Sequence, residues 1–272
     1  MTSAGAPSRE TDEPSVLFGA VRSAAERAGE AIVAVAREGC EPWGKADGSP
    51  LTRADLAANG ILVAALTALD PGTPIISEET PRAAGAPPAR FWLIDPLDGT
   101  REFIAGGDDY TVNVALIEDG VPVLGVVHAP ARGVTYAAAH GAGASRTDAA
   151  GTTAIRARTG GPLTVVVSRS HPGTLLGAFL AALPPHAPIA LGSSLKLCLV
   201  ADGTAQLYPR LGPTCWWDTA AAHAIVLEAG GEVTTLAGAP LRYAGEDVSN
   251  PPFVCSSLSR DAWAAAARAI AR

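Results

Sequence analysis

Trp92-Leu93-Ile94-Asp95-Pro96-Leu97-Asp98-Gly99-Thr100 holds the densest chemistry in the chain. Its apolar half reads as a strand that carries Asp95 out at its end. Pro96 breaks the ladder there, and Asp98 follows within reach of the same point. Two carboxylates three residues apart at a strand end can bridge hard cations, which take oxygen ligands. Gly99 and Thr100 open Arg101-Glu102-Phe103-Ile104. If that run is helical, its first free N–H groups make a phosphate cradle where the cations sit. A plain Asp-Gly turn is the competing reading, weakened by the proline and the Gly-Thr beside the two acids.

Other acids are ambiguous alone. Ile75-Ile76-Ser77-Glu78-Glu79 is a short strand ending in paired acids, of which only one can face a given site, because neighbours on an extended segment point to opposite faces. By itself that pair reads as a solvated loop end. In Lys45-Ala46-Asp47-Gly48-Ser49-Pro50-Leu51-Thr52-Arg53-Ala54-Asp55, Thr52 and Asp55 have capping-box spacing, so the spacing makes Asp55 structural. Asp218, in Trp216-Trp217-Asp218-Thr219-Ala220-Ala221, is either the N-cap of the helix that follows or a fifth acid.

Composition narrows the partners. The chain has 272 residues, 48% hydrophobic and 17% charged, which suits a globular protein with a large core. A net charge of −7 argues against sequence-independent nucleic-acid binding, which needs a basic face. An acidic protein that handles phosphate must import positive charge, and metal ions supply it. Cys40, Cys198, Cys215 and Cys255 have neither zinc-site nor disulfide-framework spacing, which fits a reducing cytoplasm. No signal peptide and no membrane-spanning run is read. Of the 20 basic residues only Lys45 and Lys196 are lysines, which marks both as places where a compact, rotatable ammonium could matter.

The elements that must position these groups follow from periodicity. Residues 1–14 read as a loose tail. Val16, Leu17, Val21, Ala24, Ala28, Ile32 and Val35 space a helix over 15–38 that Gly39 stops, and a second helix runs from Thr52 to Leu69. Strands are expected at 74–77, 91–94, 111–118 and 121–128, the last two joined at Asp119-Gly120. Residues 141–162, rich in Gly, Ala and Thr, read as a connection. Beyond it strands (163–168, 188–191, 204–208, 232–235, 252–255) alternate with helices (173–183, 193–202, 219–229, 259–271). That is the pattern of an α/β layer structure, with an α+β half at 15–160 and an α/β half at 161–272.

Asp-Pro-Leu-Asp-Gly-Thr, the preceding Ser-Glu-Glu and the run Trp-Asp-x-Ala-Ala…Glu-Ala-Gly-Gly resemble the inositol monophosphatase-like superfamily of lithium-sensitive, magnesium-dependent phosphatases. The likeness extends from about residue 15 to about residue 257. Lys-Ala-Asp-x-Ser-Pro-Leu-Thr (45–52), Ser-Arg-Ser-His (168–171), Gly-Ser-Ser-Leu-Lys-Leu-Cys-Leu-Val-Ala-Asp-Gly (192–203) and Gln-Leu-Tyr-Pro-Arg-x-Gly-Pro-Thr (206–214) are similar to its bacterial 3′(2′),5′-bisphosphate nucleotidase branch. The resemblance implies a layered αβαβα sandwich. It implies that Glu78, Asp95, Asp98 and Asp218 bind two or three Mg²⁺ through carboxylates, and Leu97 through its carbonyl. Asp55 with the Thr100 hydroxyl would activate a water, which overrides the capping reading by analogy and not by spacing. Gly99 and Thr100 amides would hold phosphoryl oxygens, beside substrate contacts from Glu78, Leu97, Asp98 and Asp218. His171, Ser193, Lys196 and Arg210 would hold the nucleotide and its second phosphate. Cys215-Trp216 stands at a spot that varies in the family, and the loop 237–250 matches the branch loosely.

The expected activity is therefore removal of phosphate from adenosine 3′,5′-bisphosphate in the cytoplasm. The rival readings are a sibling acting on inositol monophosphate or fructose bisphosphate, and a non-catalytic metal- or phosphate-binding protein. Lys196 with Arg210 speaks against the sibling, since two cations suit a second phosphate that an inositol monophosphate lacks. Asp55 and Thr100 beside a full ligand set speak against mere binding.

Overall fold

The computed structural model describes residues 13–39, 42–44, 50–80, 85–169 and 174–270. Most of the expected tail, together with Cys40, Lys45 and His171, lies outside the described residues.

Helix α1 (Glu13–Glu38) buries a stripe of Val21, Ala24, Ala25, Ala28 and Ile32 and ends at Gly39, whose φ of +79° suits glycine. Strands β1 (Trp43–Gly44) and β2 (Pro50–Leu51) pair as a short antiparallel ribbon. Helix α2 (Arg53–Leu69) starts from Thr52, whose hydroxyl accepts the Ala54 N–H, and buries Ala54, Ala58, Leu62 and Leu66 at intervals of four.

A seven-stranded sheet follows in simple chain order: β3 (Ile75–Ser77), β4 (Arg90–Asp98), β5 (Thr111–Glu118), β6 (Val121–Ala129), β7 (Val134–Ala139), β8 (Gly143–Asp148) and β9 (Gly151–Ile155). Only its β3–β4 pair is parallel. The short α3 (Thr100–Ile104) leaves β4 at Gly99. Asp119 and Gly120, at φ +49° and +74°, make the β5–β6 turn with the twist that a two-residue hairpin needs.

The second sheet is five-stranded, with β10 (Leu163–Ser168), β11 (His186–Leu191), β12 (Leu207–Arg210), β13 (Glu232–Thr235) and β14 (Phe253–Ser256) in the order β11-β10-β12-β14-β13. Its helices are α4 (Thr174–Ala181), α5 (Leu195–Ala201), α6 (Ala220–Glu228) and α7 (Ala264–Ile270). β11, β10 and β12 run parallel, and β14 reverses against β12 and β13.

Alternation along the strands sets five layers. Trp92, Ile94, Val112 and Val114 pack with α1 and α2. Phe91, Leu93, Ala115 and Ile117 pack on the other side with Leu197 and Val200 of α5 and Ile225 of α6, which meet Val166, Tyr208, Phe253 and Cys255 of the second sheet. The far face of that sheet, Val165, Leu207 and Val254, closes on Phe179 of α4 and on Trp263 and Ala266 at α7. The order helix, sheet, helix, sheet, helix is the expected sandwich, and each period-2 switch of side supplies one interface.

Local expectations differ in four places. The stretch 141–162 contains the hairpin β8–β9. Its exposed edge strand Gly151–Ile155 has little to bury, so it lacks the apolar signal of a strand. β7, with Ala137, Ala138 and Ala139, escapes sequence reading because alanine has low strand propensity, yet it pairs on both sides. Pro96 does not end β4, which continues to Asp98 through a bulge between Asp95 and Asp98. The last helix divides into a 3₁₀ turn (Arg260–Ala262) and α7.

The seating of α6 on the first sheet depends on Gly125. A Cβ there would fall 2.1 Å from the Ala221 carbonyl oxygen and 2.9 Å from the Ala224 Cβ. Gly125→Ala is expected to lose roughly 1–3 kcal/mol of stability by overpacking. Urea unfolding would show this as a lower midpoint, and an unchanged midpoint would contradict this packing.

Candidate functional site

The bulge in β4 builds the centre of the site. With two residues opposite one, Asp95 pairs with Asn113 while Asp98 pairs with Thr111, so the intervening Pro96-Leu97 is looped out. Asp95 is 1% exposed; its Oδ1 accepts the Leu97 N–H at 3.0 Å. Its Oδ2 is buried and has no hydrogen-bond partner among the described residues. A buried carboxylate oxygen left in that state is costly unless a cation takes it.

β3 runs parallel to β4 and delivers Glu78 beside Asp95. Asp218 comes from the second half, on a 3₁₀ turn (Trp216–Asp218) in which it accepts the Cys215 N–H at 2.8 Å. It is not the N-cap of α6; Thr219 holds that position. Oxygens of Glu78, Asp95 and Asp218 all lie within 4.8 Å of one another, a donor set suited to a hard divalent cation. Of the Glu78-Glu79 pair, Glu78 is the one that faces this cluster.

Asp98, partly buried, accepts the Ser194 N–H at 2.5 Å through Oδ2. Asp55 does cap α2, and its second oxygen turns toward Thr100. Its Oδ2 accepts the Thr52 N–H at 2.7 Å and the Thr52 hydroxyl at 2.6 Å, completing the capping box. Its Oδ1 lies 3.4 Å from the Thr100 hydroxyl, which also lies 3.1 Å from the Leu97 carbonyl oxygen. Gly99, at φ +90°, could not carry a side chain, because a Cβ would meet the Asp109 carbonyl oxygen at 2.9 Å.

One cavity of about 190 Å³ is walled by Glu78, Asp98, Thr100, Asp218, Lys196 and Arg210, so the acids and two cations share a single space. Lys196, only 7% exposed, donates to the Ser193 carbonyl and lies 5.7 Å from the Tyr208 ring centroid. Arg210 donates to the Pro213 carbonyl at 2.6 Å through Nη2, while its Nε is buried without a partner among the described residues. Ser193 adopts φ +47°, a strained region for a residue other than glycine.

The charges oppose one another. Burial first, then Glu78, Asp98, Asp218 and Asp55, raise the Asp95 carboxyl well above its ordinary range. Burial and Asp98 push Asp218 up to about 8. Burial also raises Asp98, with Lys196 pulling the other way. Lys196 is lowered to about 8 by burial, with Asp98 opposing that shift and Arg210 adding to it. Like charges that cannot comfortably ionise together, beside an unsatisfied oxygen, fit a bound cation.

Sequence reading overlooked several groups. Ser194 donates to Asp98, and Asp109 and Asn113 hold the segment before Lys196. A signal existed, since Thr111 and Asn113 are polar at alternate positions of an otherwise apolar strand.

Residues 12–272 match the inositol monophosphatase family. The chain is 46% identical over 235 residues to the 3′(2′),5′-bisphosphate nucleotidase CysQ of Escherichia coli K12, covering 84% of this chain and 95% of that one. It superimposes on CysQ from Bacteroides thetaiotaomicron with a TM-score of 0.76 at 36% identity, over 89% of this chain and 97% of that one. The Thermotoga maritima IMPase shares the fold with a TM-score of 0.79 at 24% identity, over 95% and 98%.

The raised carboxyl pKa values set a pH dependence for the metal-free protein. Folded Asp95, Asp98 and Asp218 hold protons that the unfolded chain releases near pH 4. Stability from those protons is present below about pH 4 and is lost as pH rises toward the Asp218 value of about 8. EDTA-treated protein should melt at a lower temperature at pH 8 than at pH 5, and Asp218→Asn should narrow the gap. Equal melting at both pH values would contradict this electrostatic picture.

Proposed function

The chain belongs to the inositol monophosphatase family, and on that premise we propose that it is a 3′(2′),5′-bisphosphate nucleotidase that uses Mg²⁺ to convert adenosine 3′,5′-bisphosphate to AMP and phosphate. The observation that carries the reading is the single cavity bounded by the Glu78–Asp98–Asp218 acids and by the Lys196 and Arg210 cations. Such a space accepts a molecule with one phosphate to be cut and another to be gripped.

A phosphomonoester dianion repels an oxygen nucleophile, so its uncatalysed hydrolysis is extremely slow. Two or three Mg²⁺ held by Glu78, Asp95, Asp98, Asp218 and the Leu97 carbonyl would neutralise the phosphoryl group and make water acidic. The chain supplies the rest. Thr100 Oγ1 and Asp55 Oδ1, 3.4 Å apart, orient the attacking water and take its proton. Water forms the new O–P bond as the bond from phosphorus to the 3′ oxygen breaks; that oxygen takes a proton from solvent water, and Asp55 returns its proton to solvent. Gly99 and Thr100 amides hold the phosphoryl oxygens. Lys196 and Arg210 hold the 5′ phosphate, beside Ser193 and, outside the described residues, His171. Arg210 Nε, buried and unpaired among the described residues, is a donor ready for that contact.

Among the described residues no helix is long and apolar enough to cross a membrane.

Phosphate release should be measured on adenosine 3′,5′-bisphosphate, 3′-AMP, inositol 1-phosphate and fructose 1,6-bisphosphate. The bisphosphate nucleotide should be turned over best, with activity abolished by EDTA and restored by Mg²⁺. Lys196→Ala or Arg210→Ala should cut kcat/KM for it by about ten- to a hundredfold, while 3′-AMP should scarcely change. Preference for inositol 1-phosphate or fructose 1,6-bisphosphate, or full turnover in chelator, would refute the assignment.

A further inference from the structure

β5 is an apolar strand with a polar entrance. Asp109, just ahead of it, Thr111 and Asn113 recur at every second residue and share one face. Farther along, the same face carries Ala115 and Ile117 into the apolar layer between the sheets. At its entrance it meets the loop from Gly192 to Ser194, which leads into α5.

The contacts form an ordered ladder. Asp109 Oδ2 accepts the Gly192 N–H at 3.1 Å. The hydroxyls of Thr111 and Ser194 lie 2.9 Å apart, Ser194 Oγ donates to Asn113 Oδ1 at 2.8 Å, and the Thr111 hydroxyl also lies 3.5 Å from Asp98 Oδ2. All four side chains are buried, with Asp109 and Thr111 fully enclosed. The buried charge of Asp109 is balanced by Arg132 and by Arg169 Nη1 at 2.6 Å. The backbones touch: a Cβ on Gly192 would fall 2.9 Å from the Asp109 Cβ and 3.0 Å from its carbonyl oxygen.

The loop so gripped is the one the site depends on. Ser193 sits in it at φ +47°, a conformation that persists only where surroundings impose it. The next N–H, of Ser194, is donated to Asp98, and Lys196 follows two residues later. A neutral hydrophobic face would hold α5 against the sheet equally well. It would not specify where along the sheet the loop stops, which hydrogen bonds do.

We propose that the Asp109–Thr111–Asn113 face is a positioning device through which the first sheet fixes the 192–196 segment, and so sets how tightly Lys196 grips a second phosphate. The inference rests on the bisphosphate reading above. None of these three residues is assigned contact with substrate. The segment they hold carries both the Lys196 ammonium and the Ser194 N–H that is donated to Asp98, so their effect falls most heavily on a doubly phosphorylated substrate and only weakly on the reaction itself.

Steady-state kinetics of wild type, Asp109→Asn, Thr111→Val and Thr111→Ser on adenosine 3′,5′-bisphosphate and on 3′-AMP test this, with a thermal melt of each protein. Asp109→Asn and Thr111→Val should raise KM for the bisphosphate about tenfold, whereas the loss in kcat, and the loss on 3′-AMP, both transmitted through Asp98, should stay within about threefold. Thr111→Ser, which keeps the hydroxyl, should restore wild-type KM. If Asp109→Asn fails to fold, the Thr111 pair decides. Proportional losses on both substrates, or wild-type constants in both disruptive variants, would overturn the positioning role while leaving the nucleotidase reading intact. A wild-type enzyme that does not act on the bisphosphate would overturn that reading and this inference with it.

Discussion

Mutual repulsion among buried carboxylates is the constraint around which this molecule is built. Asp95 is enclosed with Glu78, Asp98, Asp218 and Asp55 near enough to raise its pKa, in surroundings that already penalise charge. Left to themselves such groups would turn away from one another or take up protons. Instead each aspartate has one oxygen fixed by a backbone N–H: Asp95 by Leu97, Asp98 by Ser194, Asp218 by Cys215 and Asp55 by Thr52. These donors come from four separate places in the chain, a bulge, a loop, a 3₁₀ turn and a helix cap. The fold itself holds the acids in place, which is the preorganisation that a site for a divalent cation requires.

The same constraint explains why the site lies between the sheets. The first sheet supplies Glu78, Asp95 and Asp98 at adjacent strand ends, which only the parallel β3–β4 pair can bring side by side. The second half contributes Asp218, Lys196 and Arg210. Five layers with an apolar interface at each boundary give the rigidity to keep these contributions in register. Gly125, beneath α6, lets that helix, and with it the turn carrying Asp218, approach the first sheet closely.

Much of this was legible in the residues. Leu56, Ile61, Val63 and Leu66 marked α2, although the stripe it buries is Ala54, Ala58, Leu62 and Leu66, and Asp119-Gly120 marked the hairpin, because local physics decides both. The acid cluster was visible as a set of suggestive pieces, but Asp55 and Asp218 show the limit. Thr52 and Asp55 do form the capping box that their spacing implies, and the remaining Asp55 oxygen meets Thr100, a partner 45 positions away that spacing cannot reveal. Asp218 accepts a backbone N–H as a capping residue would, yet on a turn that precedes the helix. The β8–β9 hairpin was hidden for another reason. Its outer strand is exposed, so its pairing comes from the backbone and leaves almost no trace in side-chain pattern.

The most direct test compares Mg²⁺-supported phosphate release from adenosine 3′,5′-bisphosphate by wild type and Asp95→Asn, each first confirmed to be folded. Asp95→Asn should be at least as stable as wild type when metal-free, since it relieves repulsion, and should lose about a hundredfold or more in turnover. Near wild-type turnover by Asp95→Asn at saturating Mg²⁺ would contradict the claim that this carboxylate cluster is the seat of the chemistry.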